Sequence, residues 1–156
     1  MSTLLTLPGA DAVARLLRDL FGKAVTPKKG AAMPSSTKMC VGAYMDDAGK
    51  LVAVGICDLP LGATMGAALA LLAPGVAAEA ARAGKLPEEM RDNLLEVLNV
   101  MATLFGGAHV RCRELLLPPA ALPADVAAVV AKPGQRLDLD VTVAGYVGGK
   151  LCLATA

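Results

Sequence analysis

Apolar positions along the chain change period several times, and each change marks an element. Val13, Leu16, Leu17, Leu20 and Phe21 recur at helical spacing while Asp11, Arg15, Arg18 and Asp19 occupy the other face, which predicts an amphipathic helix ending at Gly22. Residues 24–37 collect Pro27, Gly30, Pro34, Ser35 and Ser36 without a sustained period and read as a long loop. Residues 38–46 and 50–58 are β-rich runs joined by Asp47-Ala48-Gly49, the residue types a hairpin turn uses. Residues 61–73 and 75–83 read as two small-residue helices parted at Pro74.

The most strongly periodic helix opens at Pro87, has Glu88 and Glu89 at its positive end, and is stopped by Gly106-Gly107. After it come a strand at 110–117, a short helix at 123–131 and an alternating strand at 135–147. That last run places Leu137, Leu139, Val141 and Val143 on one face, and Asp138, Asp140 and Thr142 on the other. Gly148-Gly149 reads as a tight turn into a strand at 150–154. Helices and antiparallel hairpins interleave without the strand–helix alternation of a parallel sheet, so the expected class is α+β. A helix leading to a hairpin occurs in each half, a weak sign of internal duplication.

The chain has 156 residues, 55% of them hydrophobic, which suits one domain and excludes a disordered tail. A mean hydropathy of +0.56 raises the question of a membrane span. The one uncharged window, residues 59–78, is bracketed by Pro60 and Pro74, thinned by Gly62, Gly66 and Gly75, and rich in alanine, so it reads as buried helix. Fifteen Lys+Arg against 14 Asp+Glu leave a net charge of +1, and two Phe, two Tyr and no Trp leave almost no stacking platform. Nucleic acid is therefore not the expected partner. Residues 1–9 lack a charged leader with a long apolar core, from which a cytoplasmic address is expected.

Cys40, Cys57, Cys112 and Cys152 are scattered, with no C-x-x-C pair and only His109 as company. They read as buried core thiols and not as a zinc site, and His109 as a structural or surface residue. Lys23, Lys28 and Lys29 have no glycine-rich phosphate loop around them and read as solvated.

On a helical wheel, Leu94, Leu95, Val97, Leu98, Met101, Leu104 and Phe105 spread over a broad apolar arc of the helix that opens at Pro87. Glu88, Glu89, Asp92, Glu96, Asn99 and Thr103 fall in one narrow stripe, with Asp92, Glu96 and Asn99 at i, i+4 and i+7. Every amphipathic helix needs a solvated side, and that alone accounts for the stripe. The asparagine is harder to explain this way, because Asn costs roughly 0.6 kcal/mol relative to alanine inside a helix, in a chain that uses alanine freely.

Asp92-Asn-Leu-Leu-Glu96-Val-Leu-Asn99, followed at a distance by Pro123, resembles the D/S-x-x-x-E-x-x-N…P signature of the CheC/CheX chemotaxis phosphatases. Val41-Gly42, the Asp46-Asp47-Ala48-Gly49 turn, Asp58-Leu59-Pro60 and the glycine-rich closing hairpin stand in the order found in that family, so the resemblance runs from about residue 38 onward. It implies an antiparallel sheet with packed helices and hydrolysis of the phospho-aspartate on a receiver domain such as CheY. Asn99 would orient the attacking water, Glu96 would pair with the receiver's lysine, and Asp92, Thr103 and Pro123 would belong to the supporting partner surface. The Mg²⁺ would sit on the receiver, leaving this chain with no cofactor of its own.

The first helix lacks a second Glu/Asn pair, which makes the chain resemble single-site CheX, a member associated with homodimers built through sheet edges. The alternation over 137–143 offers a possible edge. Thr103 stands where CheX-like sequences commonly have glycine, and the Asn99 to Pro123 gap is a residue or so longer than usual. Thr103 supports the alternative of a non-catalytic receiver-binding or motor-associated module. A small-molecule or metal enzyme lacks a ligand set in this sequence.

Overall fold

The computed structural model describes residues 5–34, 36–118 and 120–156. Residues 1–4, where the absence of a leader was read, and Ser35 of the expected loop lie outside them. The elements run α1 (Ala10–Phe21), β1 (Val25–Lys29), β2 (Met39–Asp46), β3 (Leu51–Asp58), α2 (Leu59–Leu69), α3 (Pro74–Ala83) and α4 (Glu88–Met101) with a 3-10 turn (Ala102–Leu104). Then follow β4 (Val110–Leu116), α5 (Ala124–Ala131), β5 (Arg136–Val143) and β6 (Gly149–Thr155). The six strands make one antiparallel sheet in the order β1-β5-β6-β3-β2-β4, an α+β fold as expected.

Local chemistry sets most boundaries. Gly22 takes a left-handed conformation (φ 65°) and its N–H returns to Arg18 O, closing α1. The β2–β3 turn is held by Asp46 Oδ1, which accepts from Ala48 N and Lys50 N, while Gly49 supplies φ 82°. Asp58 caps α2 by accepting from Leu61 N at 3.0 Å, and its other oxygen accepts from Lys150 N, tying β6 to the start of that helix.

Four expectations are corrected. Within the expected loop 24–37, Val25–Lys29 is a strand, paired with β5 in the register Val25↔Val143 to Lys29↔Leu139. Only Val25 of it is buried, so no alternation shows in the sequence, and Pro27 is tolerated because β1 lies at the sheet edge. For the same reason the 137–143 run is not an edge: β5 lies between β1 and β6, and the terminal strands are β1 and β4. The long helix ends at Met101, tightening into the 3-10 turn well before Gly106-Gly107, and Pro87 is its N-cap. The final hairpin turns over 144–148, with Gly145 at φ 86° and Gly149 already in β6.

Side chains on opposite faces of the sheet build two cores. Cys40, Tyr44, Ala53, Cys57, Leu151 and Leu153 face the layer of α1 to α4. Val41, Ala43, Val54, Ile56, Cys152 and Ala154 face α5 through Val126 and Val129. The alanine and glycine content sets the separation of the helical layer: a methyl on Gly66 of α2 would stand 2.5 Å from Met90 O of α4, so these helices meet backbone to backbone. Asn93 Nδ2 completes that contact by donating to Gly66 O at 2.9 Å.

All four cysteines are buried and reduced, one each on β2, β3, β4 and β6. Burial pushes the Cys112 thiol up to about 11 and that of Cys152 to about 12. Among the described residues no helix is long and apolar enough to cross a membrane, and the uncharged window 59–78 is spent on α2, a turn and the start of α3.

Candidate functional site on the outer face of α4

Helix α4 buries Met90, Leu94, Val97, Leu98 and Met101, each contributing about 1.5–3 kcal/mol on leaving water. That arc fixes the rotation of the helix about its axis and turns the polar stripe outward. Glu88, Glu89, Asp92, Glu96 and Thr103 are exposed, and Asn99 is half-buried. Asp92, Glu96 and Asn99 therefore share an accessible face, as the spacing predicted. Thr103 lies in the 3-10 turn, where its hydroxyl donates to Val100 O at 2.7 Å. Pro123 is placed elsewhere: it precedes α5, the helix on the opposite face of the sheet from α4.

Asn99 has a partner that sequence reasoning missed. Its Oδ1 accepts from the backbone N–H of Cys112 on β4 at 3.1 Å. The β2–β4 register slips between Ala43↔Glu114 and Tyr44↔Cys112, so the strand bulges beside this amide. Because a backbone N–H only donates, the group facing it must be the carboxamide oxygen, and the amide orientation is fixed by chemistry. Among the described residues, the Asn99 NH₂ donates to no acceptor, which leaves both its protons for a partner.

Glycines allow α4 to sit this close to the sheet. Gly42 and Gly55 are cross-strand partners on β2 and β3. A methyl on Gly42 would stand 2.9 Å from both Leu98 Cδ1 and Cys112 Sγ. With hydrogen at that position, Leu98 drops onto the strands and Asn99, next in sequence, comes within reach of β4.

The remaining candidate groups have local explanations. His109 is exposed, with Nδ1 2.7 Å from Asp47 Oδ1, and that hydrogen bond holds the Asp47 carboxyl below its ordinary value. Among the described residues no three His, Cys, Asp or Glu side chains gather as a metal-binding group would.

No family model matches the chain, and no curated protein sequence matches it. Solved structures do. FliY from Thermotoga maritima superposes with a TM-score of 0.53 at 17% identity over 92% of this chain and 82% of its own. The FliM middle domain from H. pylori gives 0.52 at 7% identity, over 94% and 84%. The chemotaxis protein CheX from Desulfovibrio desulfuricans gives 0.50 at 9% identity, over 94% and 95%. The chain thus shares the fold of CheX, FliY and the FliM middle domain, the α+β architecture that the sequence resemblance implied.

Proposed function

We propose that this chain hydrolyses the phospho-aspartate of a response-regulator receiver domain, with Glu96 and Asn99 as its catalytic pair. The observation that carries the reading is the outward placement of a carboxylate and a pre-oriented carboxamide one turn apart on α4. Phosphoryl transfer depends chiefly on positioning and electrostatics, so a protein that contributes one directional amide and one anion can accelerate it without a nucleophile of its own. Glu96 pairs with the receiver's lysine and fixes the docking register. Asn99 holds a water in line with phosphorus through its NH₂ and the free lone pair of its oxygen. The water oxygen bonds to phosphorus as the P–O bond to the receiver aspartate breaks, releasing aspartate and inorganic phosphate. Mg²⁺ bound by the receiver would supply charge neutralisation at the phosphoryl oxygens. Asp92 and Thr103 extend the contact surface on either side. The fold shared with a chemotaxis protein, CheX, supports this class of signalling role. The homodimer that the resemblance implies would form through β1 or β4, the terminal strands.

A second reading, a non-catalytic receiver-binding or motor-associated module, is favoured by one observation: the Cys112 N–H bond already accounts for an asparagine at position 99 without catalysis. Decay of phosphorylated receivers separates the two. Wild type accelerates decay and Asn99→Ala and Glu96→Ala lose the acceleration if the site is catalytic. Receiver binding with no change in decay for any of the three selects the module.

A further inference from the structure

Asn99 is tied to β4 at the tip of its side chain, and the backbone that carries it is tied as well. Tyr44 on β2 is fully buried, and its hydroxyl donates to Leu98 O at 2.7 Å. That carbonyl belongs to the peptide joining Leu98 to Asn99. It lies in the last turn of α4, where the Ala102 N–H is shared among the carbonyls of Leu98, Asn99 and Val100 as the helix tightens into the 3-10 turn. Sharing weakens each intrahelical bond, so the orientation of this peptide depends on the phenol more than it would in mid-helix.

The surroundings are built to hold the phenol there. A methyl on Gly55 would stand 3.0 Å from both Tyr44 Cε2 and its hydroxyl, so the glycine opens the space the ring occupies. On another side the Tyr44 and Phe105 rings meet with centroids 5.1 Å apart at 59°. Burial also pushes the phenol pKa well up, which keeps the hydroxyl a donor.

We infer that Tyr44 is a positioning residue of the α4 site: through Leu98 O it fixes the peptide that carries Asn99, while Cys112 N–H fixes the carboxamide. This rests on the phosphatase reading for its effect on rate, but the structural tie can be measured separately. Misplacement of a reacting group by about 1 Å can cost on the order of 100-fold, so a partial loosening should cost about tenfold.

The test compares wild type with Tyr44→Phe, which keeps the ring against Phe105 and removes only the hydroxyl. A second variant, Gly55→Ala, displaces the phenol without deleting it, and Val54→Ala is a destabilised control in the α5-facing core. Two quantities are read: kcat and KM for a phosphorylated receiver, and hydrogen exchange of the Cys112 amide. Tyr44→Phe and Gly55→Ala are expected to lower kcat about tenfold with KM within about twofold, and to speed exchange at Cys112. Val54→Ala is expected to leave kcat and KM at their wild-type values. Unchanged kcat and unchanged Cys112 protection in a folded Tyr44→Phe overturn the inference, as does an equal kcat loss in Val54→Ala. If wild type itself leaves phosphorylated receivers untouched, the phosphatase reading fails and exchange alone decides the tie: unchanged Cys112 protection overturns it, and lost protection upholds it.

Discussion

Asn99 is predicted to serve the fold and the chemistry with different atoms, and two substitutions separate them. Asn99→Ala removes the acceptor of the Cys112 N–H. Leaving a largely buried amide unpaired costs about 1–3 kcal/mol, and the low end applies because Asn99 is only half-buried. Alanine returns about 0.6 kcal/mol in helix propensity. The net loss is therefore about 0.4 kcal/mol, a fall in Tm of about 1–2 °C for a chain of this size. Asn99→Asp keeps an oxygen facing the amide and makes the bond charge-assisted. Against this, a second carboxylate one turn from Glu96 and near the negative end of α4 costs about 0.5–1 kcal/mol, so stability should stay near wild type. What the aspartate lacks is the NH₂, and receiver dephosphorylation should fall about 100-fold, as on removal of one aligned donor. Urea denaturation and the decay of a phosphorylated receiver read the two effects. The reasoning is refuted if Asn99→Ala is more stable than wild type by about 0.6 kcal/mol, since only the helix-propensity gain is then left and the Cys112 bond contributes nothing, or if Asn99→Asp keeps its rate, since the NH₂ is then not used.

Other consequences are open to simpler measurements. Gly66→Ala forces a methyl to 2.5 Å from Met90 O and should destabilise by about 3 kcal/mol, seen as a lower urea midpoint. Native protein at pH 8 should react with no thiol reagent and unfolded protein with four equivalents, because all four cysteines are buried. The folded-state thiols of Cys112 and Cys152 lie above the ordinary 9.0, so the stability linked to them is complete below pH 9 and declines as pH rises toward about 11 and 12; a urea midpoint that stays flat between pH 8 and 11 contradicts this. The Asp47 carboxyl titrates below its ordinary value on account of His109, so His109→Gln should raise its midpoint in an NMR titration. Its contribution is present above the ordinary carboxylate range and is lost as pH falls through the depressed value.

How far the sequence reveals this protein depends on how many of an element's neighbours lie close along the chain. Helix α4 was legible because its burial arc and polar stripe repeat within fourteen residues, and so was the β2–β3 hairpin, whose turn chemistry is contained in residues 46–50. Strand β1 was not, because it buries one side chain of five and owes its existence to β5, more than a hundred residues away. The misplaced sheet edge follows from the same omission: once β1 is read as loop, β5 must seem terminal. The spacing of Glu96 and Asn99 was visible for the reason α4 was. What holds Asn99 was not, since Tyr44, Gly42 and Gly55 are distant in sequence and the Cys112 donor is a backbone amide at a bulge. A pattern of side chains can therefore nominate the residues of such a site, whereas their orientation is decided by main-chain groups and small residues that leave no chemical signature of their own. The strand glycines opposite α4 are where that second kind of information resides, because substituting either one should disturb the site while leaving its polar residues intact.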